Sequence, residues 1–249
     1  MMNPAEFANI ANSEPRFWWY RGMRRIMFRL LDPLVEGRAL TCVLEAGCGT
    51  GHFAKVLAER YGWRVFPIDL GWEGLRHGRR LGVPHLAQAD IAALPFPAAA
   101  FDAVVSMDVI VYFPRGEEQR PAAELARVLK PGGLLIVRAS ALDILRSRHS
   151  EFAGERQRFS RARLSELFRG QGVRILRATY ANSLLLPVAL AKFRLWEPLL
   201  RRPPASGVQP VAGWLDGILG SALTMESLWL AAGMNFPLGQ SVILLGEKE

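Results

Sequence analysis

The feature that most restricts what this chain can fold into is the run Val43-Leu44-Glu45-Ala46-Gly47-Cys48-Gly49-Thr50-Gly51, a short apolar stretch that ends in three glycines at alternate positions. The residues that follow, His52 to Tyr61, carry apolar side chains at helical spacing, so the glycines stand where a strand turns into a helix. Glycine accepts positive φ and has no Cβ, which lets a ligand approach the main chain. Free amides at a helix start favour a carboxylate. A nucleotide-like ligand bearing a carboxylate fits such a loop. Dinucleotide loops usually read GxGxxG, whereas here the sixth position from Gly47 is His52 and Gly51 falls one place early, which counts against NAD and FAD.

The alternation continues along the chain. Apolar runs at TCVLEAG, WRVFPID, His85 to Ala89, FDAVVSM, LLIVRAS, VRILRATYA and SVILLGEK are separated by amphipathic stretches at His52 to Tyr61, Trp72 to Leu81, Glu117 to Leu129 and Ala162 to Gly170. Strands separated by helical crossovers imply a parallel α/β sheet. Ligands in such sheets bind outside the carboxyl ends of the strands. Asp69 closes the second run, where an acid can accept hydrogen bonds from both hydroxyls of a ribose. Asp90, in Gln88-Ala89-Asp90-Ile91 ahead of Leu94-Pro95-Phe96, closes the third. Each acid alone reads as a loop anion or a helix cap; three at successive strand ends form a constellation.

These residues, with the LPF segment and the Lys130-Pro131-Gly132-Gly133 turn, resemble the class I S-adenosylmethionine-dependent methyltransferases from about Thr41 to Ser140. FWWYRGMRR, SRHSEFAGERQRFSRARL, the run Ala181 to Leu185 and FPLGQSV are similar to a bacterial small-molecule subgroup of the same class. The resemblance implies a Rossmann-like, seven-stranded, mostly parallel sheet with helices on both faces, and S-adenosylmethionine as cofactor with no metal. It implies that Glu45, Gly47, Gly49 and Gly51 line the methionine part, that Asp69 and Leu70 hold the ribose, and that Asp90 and Ile91 face the adenine. Cys48, Met107 and Tyr20 join the cofactor-contacting set.

On this reading residues 1–40 form an N-terminal helical lid, 41–182 with 240–249 the cofactor-binding domain, and 183–239 an apolar helical insertion. Half of the 249 residues are hydrophobic, which suits a packed domain rather than a disordered chain. The net charge of +8 is carried mostly by scattered arginines, some at helical spacing. With no recognised nucleic-acid motif beside them, they read as solvated helix faces. Two cysteines, Cys42 and Cys48, lack metal or disulfide spacing, and the amino terminus lacks a secretory pattern, so a cytoplasmic location is expected. The most apolar stretch, Ser183 to Leu200, is too interrupted by Lys192, Arg194 and Glu197 to span a bilayer, but it is compatible with lying on one.

Methyl transfer from a sulfonium is a direct displacement that relies on holding the reactants in line, so a general base is optional. Among four histidines, His149 follows the fifth strand and is the candidate base, with a polar loop residue as the alternative. Relatives often carry Glu-His after the fourth strand. Here Asp108-Val109-Ile110-Val111-Tyr112 stands instead, leaving Tyr112 to orient an acceptor or to pack. Phe17 to Tyr20 are placed to close over a sulfonium. Trp196, Trp214, Trp229, Phe193 and Met225 are expected to roof a pocket for a small, apolar or lipid-like acceptor, or else to form a homodimer face. The alternatives are an RNA or protein methyltransferase, and a non-catalytic module that binds the cofactor.

Overall fold

The computed structural model describes residues 2–200, 203–208 and 211–249; Met1 of the N-terminal segment and Arg201, Arg202, Gln209 and Pro210 of the insertion lie outside the described residues. The strands are β1 (Cys42–Ala46), β2 (Arg64–Asp69), β3 (Ala87–Gln88), β4 (Phe101–Met107), β5 (Leu129–Ser140), β6 (Val173–Ala181) and β7 (Ser241–Lys248). They form one sheet in the order β3-β2-β1-β4-β5-β7-β6. β1 pairs in parallel with β2 and β4, β2 with β3, and β4 with β5, while β7 runs antiparallel to β5 and β6.

The parallel pairs require crossovers, and the amphipathic segments supply them: α3 (His52–Tyr61), α4 (Trp72–Arg80) and α5 (Gln119–Arg127) each follow a strand. Successive strand side chains point to opposite faces. Leu44, Val104, Leu135 and Val137 therefore join a core with α5 and with Leu164 and Phe168 of α7 (Arg161–Arg169). Val43, Val65, Val105 and Ile136 join a second core on the other face with Leu57 of α3. Both faces are covered, as strands with no polar side require.

Four features lie outside this frame. α1 (Pro4–Ser13) starts on the cap of Asn3, whose side chain accepts from the Ala5 amide, with Pro4 at the first helical position. α2 begins at Trp18 and runs to Val35, so the aromatic run is its first turn rather than a lead-in. It buries Met23, Ile26, Met27, Leu30 and Leu31 in the second core. A short α6 (Arg148–Ala153) follows β5. The insertion holds α8 (Leu186–Leu190), which passes through the wider π-helical stretch Ala191–Trp196 into α9 (Glu197–Leu200), and then α10 (Gly213–Ala231). The prolines suggest only short helices here. Residues 213–231 contain none, and they form one helix of 19 residues packed along α2.

Candidate functional site

A cavity of about 1110 Å³ opens at the carboxyl ends of the parallel strands, bounded by α1 and α2 on one side and by the insertion on another. It exceeds the ~300–1,000 Å³ of most single-ligand pockets, which is room for two reactants. Of the residues singled out in the sequence, Glu45, Gly47, Cys48, Gly49, Asp69, Leu70, Asp90, Ile91, Met107, Tyr20, Tyr112 and His149 all line it. Gly51 does not. It caps α3 at φ +73°, and a Cβ there would meet Gly78, Val83 and Leu86 at 3.5 Å.

The glycine loop is wound by its own hydrogen bonds. The Gly47 and Cys48 amides both donate to the Ile68 carbonyl at 2.8 Å, and the Gly51 amide to the Cys48 carbonyl at 2.9 Å. The Gly49 amide donates to Asp69 Oδ2 at 2.8 Å, and Asp69 Oδ1 accepts from the Gly71 amide at 2.7 Å. The Gly47, Cys48, Gly49 and Gly51 amides are therefore spent within the fold, and Asp69 fastens the loop to the start of α4. Gly47, at φ +84°, also lies so close to Val109 that a Cβ would come 2.1 Å from Val109 Cγ2.

Glu45 is the most unusual group in the cavity. It is buried, and its Oε2 has no partner among the described residues. Burial raises its pKa well above the carboxylate range, and the neighbouring acids Glu14 and Asp69 raise it further. Burial also pushes up Asp69, against the pull of its backbone donors, and lifts Glu14 to about 7. Three acids held close together and largely out of solvent favour a cationic ligand group. The orphaned oxygen and the glycine-rich loop fit an amino-acid-bearing sulfonium nucleoside, as the resemblance implies. Asp90, whose Oδ1 accepts from the Ala92 amide at 2.9 Å, lies with Ile91 farther along the same wall.

Sequence reasoning missed several side chains that the lid and the strand ends bring in. Glu14, just past α1, accepts from the Thr50 hydroxyl of the glycine loop, and the Arg24 guanidinium donates to the Glu14 carbonyl at 2.7 Å. Phe7 of α1 is buried against Gly71 and Gly74, which fastens α1 to α4. Glu6 is buried on the cavity wall, where its carboxylate accepts from Ser206 and Asn9 at 2.9 Å each. Asp108 and Asn182, at φ +57° and +55°, follow β4 and β6, and Asp108 pairs with Arg138, which lies 4.8 Å from the centre of the Trp19 ring. Left-handed backbone at non-glycine residues clusters where structure is held for function. The helix start Asn3-Pro4 was the one sequence signal for α1; the acids carried by it had none.

His149 Nδ1 accepts from the Gly207 amide at 3.1 Å, which ties α6 to the insertion, and Glu6 Oε1 of α1 lies 3.7 Å away. Tyr112 is buried, and burial with the nearby Asp108 drives its hydroxyl pKa far above the usual phenol value. The expected roof is corrected in detail. Phe193 lines the cavity, but Trp196, Trp214, Met225 and Trp229 are substantially exposed, because helical spacing turns Leu215 and Leu219 of α10 inward instead. Among the described residues no group of three His, Cys, Asp or Glu side chains is arranged to hold a metal ion.

A sheet of this strand order, with a glycine loop after β1 and acids closing the next two strands, defines the class I S-adenosylmethionine-dependent methyltransferase fold. The methyltransferase solved in complex with the Haloferax volcanii Trm112 activator superposes with a TM-score of 0.60 at 20% identity, over 97% of each chain. Residues 44–137 match the methyltransferase domain family. The chain is 37% identical over 111 residues to 2-methyl-6-phytyl-1,4-hydroquinone methyltransferase of Synechocystis, covering 43% of this chain and 33% of that protein. It is 31% identical over 139 residues to malonyl-[acyl-carrier protein] O-methyltransferase of Enterobacter lignolyticus, covering 55% and 54%. The chain thus spans a third to about half of these relatives.

Proposed function

We propose that this chain transfers a methyl group from S-adenosylmethionine to a small, apolar or lipid-like acceptor. The observation that carries this reading is the single cavity, which joins an acidic, glycine-walled end at Glu45, Asp69 and Asp90 to an apolar end at Leu185, Val188, Phe193, Leu215 and Leu219. Bound S-adenosylmethionine supplies an electrophilic methyl group on a sulfonium. Glu45 holds the ammonium end of the ligand, Gly47, Cys48 and Gly49 let it lie against the loop, Asp69 and Leu70 take the ribose, and Asp90 and Ile91 take the adenine. Tyr20 and Met107 close the middle. Gly51 acts indirectly by turning the loop into α3.

Residues 1–40 serve as lid, residues 41–182 with 240–249 as the donor domain, and residues 183–239 as the acceptor cap. Tyr112, a phenol protonated at neutral pH and pushed further up by burial, donates a hydrogen bond to orient the acceptor and does not remove a proton. His149 positions the cap through Gly207: its Nδ1 accepts that amide, so in the neutral ring Nε2 carries the proton and is a donor to the acceptor rather than a base. Proximity supplies the main rate enhancement. The acceptors named for the relatives, a prenylated hydroquinone and a malonyl group on a carrier protein, support an acyl or prenyl chain in the apolar end, with the protein working at the periphery of a membrane. Part of the positive charge behind an RNA reading is engaged within the fold, in pairs such as Arg158–Glu155, Arg163–Glu118, Arg127–Glu124 and Arg138–Asp108.

Calorimetric titration with S-adenosylmethionine tests the donor site. Micromolar binding that falls at least about tenfold in Glu45→Gln is expected, in line with the ~1.5–3 kcal/mol of a charged hydrogen bond. No binding to the wild type overturns the reading. With the donor established, transfer of labelled methyl to prenylated hydroquinones, fatty acids, acyl-carrier protein and RNA separates the acceptor classes.

A further inference from the structure

α10 has no polar face. Its charged residues are Asp216, paired with Arg21 of α2, and Glu226, which is buried and accepts the Ser183 and Leu184 amides at 2.7 Å. Leu223 and Leu230 are fully buried in the second core. On the opposite arc Trp214, Ile218, Met225 and Trp229 recur at helical spacing and are 70%, 59%, 64% and 46% exposed. A helix apolar all round is normally enclosed. Among the described residues nothing covers this arc.

Two further observations say what does. Arg21, Arg25 and Arg29 form an exposed row at four-residue spacing on α2, and the first two reach Asp216 and Thr224, so a cationic row runs along the edge of the apolar arc. The arc also adjoins the cavity: Leu215 and Leu219, each one position beyond Trp214 and Ile218, line it. Val188, Lys192 and Phe193 of the neighbouring insertion line it too, and the exposed Leu195, Trp196 and Leu199 follow them. An apolar face with tryptophans, bordered by arginines, suits the headgroup boundary of an anionic bilayer. A protein partner would have to match that shape with acids placed opposite the arginine row.

We infer that the exposed face of α10, with the arginine row of α2, docks on a bilayer bearing anionic head groups and so presents the cavity to a lipid-like acceptor. The purpose of this docking rests on the acceptor reading above, but the docking is measured without any acceptor. The test is co-sedimentation of the full chain with phosphatidylcholine vesicles, with and without phosphatidylglycerol, beside two variants: Trp214→Gln/Ile218→Gln/Met225→Gln and Arg25→Gln/Arg29→Gln. Calorimetry with S-adenosylmethionine and sedimentation velocity accompany both. The expected result is binding to the anionic vesicles that weakens with salt and falls at least tenfold in each variant, with donor affinity unchanged. Absence of vesicle binding overturns the proposal. So does a wild-type dimer that the triple variant dissociates, since a second copy then covers the face. Neither outcome touches the donor site, and loss of donor binding alone leaves the docking intact.

Discussion

Gly47→Ala isolates the physical reason for the glycine loop. At φ +84° an L-residue loses about 1–2 kcal/mol relative to glycine. The new Cβ would also sit 2.1 Å from Val109 Cγ2 and 2.9 Å from Cγ1. Val109 is β-branched and packed against the core, so it relieves the clash only by moving backbone, which for overpacking costs about 1–3 kcal/mol. The combined destabilisation is about 2–5 kcal/mol, a fall in Tm of roughly 4–20 °C for a domain of this size. Thermal unfolding reads that, and calorimetry with S-adenosylmethionine reads the damage to the cradle. The two contributions separate in a double-mutant cycle. Val109→Ala removes the clashing methyls, so the double variant should be more stable than additivity predicts by about 1–3 kcal/mol. Additivity within about 0.5 kcal/mol would show that Val109 is not what forbids a side chain at position 47.

Asp69→Asn removes an acceptor for one of the Gly49 and Gly71 amides. It should cost about 1–3 kcal/mol in unfolding and weaken donor binding together, whereas a pure ribose contact would change binding alone. Glu14 is raised from 4.5 to about 7 in the fold, first by burial, so its native form holds a proton that the unfolded chain releases near 4.5. Stability from this group is therefore complete below pH 4.5 and lost as pH rises through about 7; Tm of the wild type should decline over that window relative to Glu14→Gln, and parallel profiles would refute the assignment. Because burial raises the Glu45 pKa too, binding of a cationic donor group should release protons, which calorimetry in buffers of different ionisation enthalpy detects. Phe7→Ala should free α1 from Gly71 and Gly74, seen as faster proteolysis ahead of Trp18 while the sheet stays folded.

Local chemistry carried most of the architecture. The strand β4 is the run FDAVVSM residue for residue, and β6 and β7 match their apolar runs; β4 and β7 are buried nearly throughout and need near-continuous apolar sequence, while β6, at the sheet edge, is half-buried and admits Arg174 and Arg177. The glycine loop and the acids Glu45, Asp69 and Asp90 were legible for a related reason: their positions at strand ends follow from the alternation of short strands and helices, and that alternation is local. Tertiary structure decided what those groups touch. No spacing indicates that the loop amides are consumed by Ile68 and Asp69, since that depends on the approach of β2 to β1. Glu6 and Glu14 look like the polar residues of any amphipathic helix; Glu6 becomes buried, and Glu14 comes to rest against Thr50 of the glycine loop, because Phe7 docks α1 on the start of α4. In the insertion, leucines and tryptophans are alike in hydropathy, and only the rotation of α10 on α2 turns Leu219 into the cavity and Trp214 outward. Sequence by itself determined a donor-binding α/β sheet, whose signals lie within single strands and turns. The placement of α1 beside the glycine loop, the orphaned acid at the donor end and the outward apolar face were decided by packing between elements far apart in the chain.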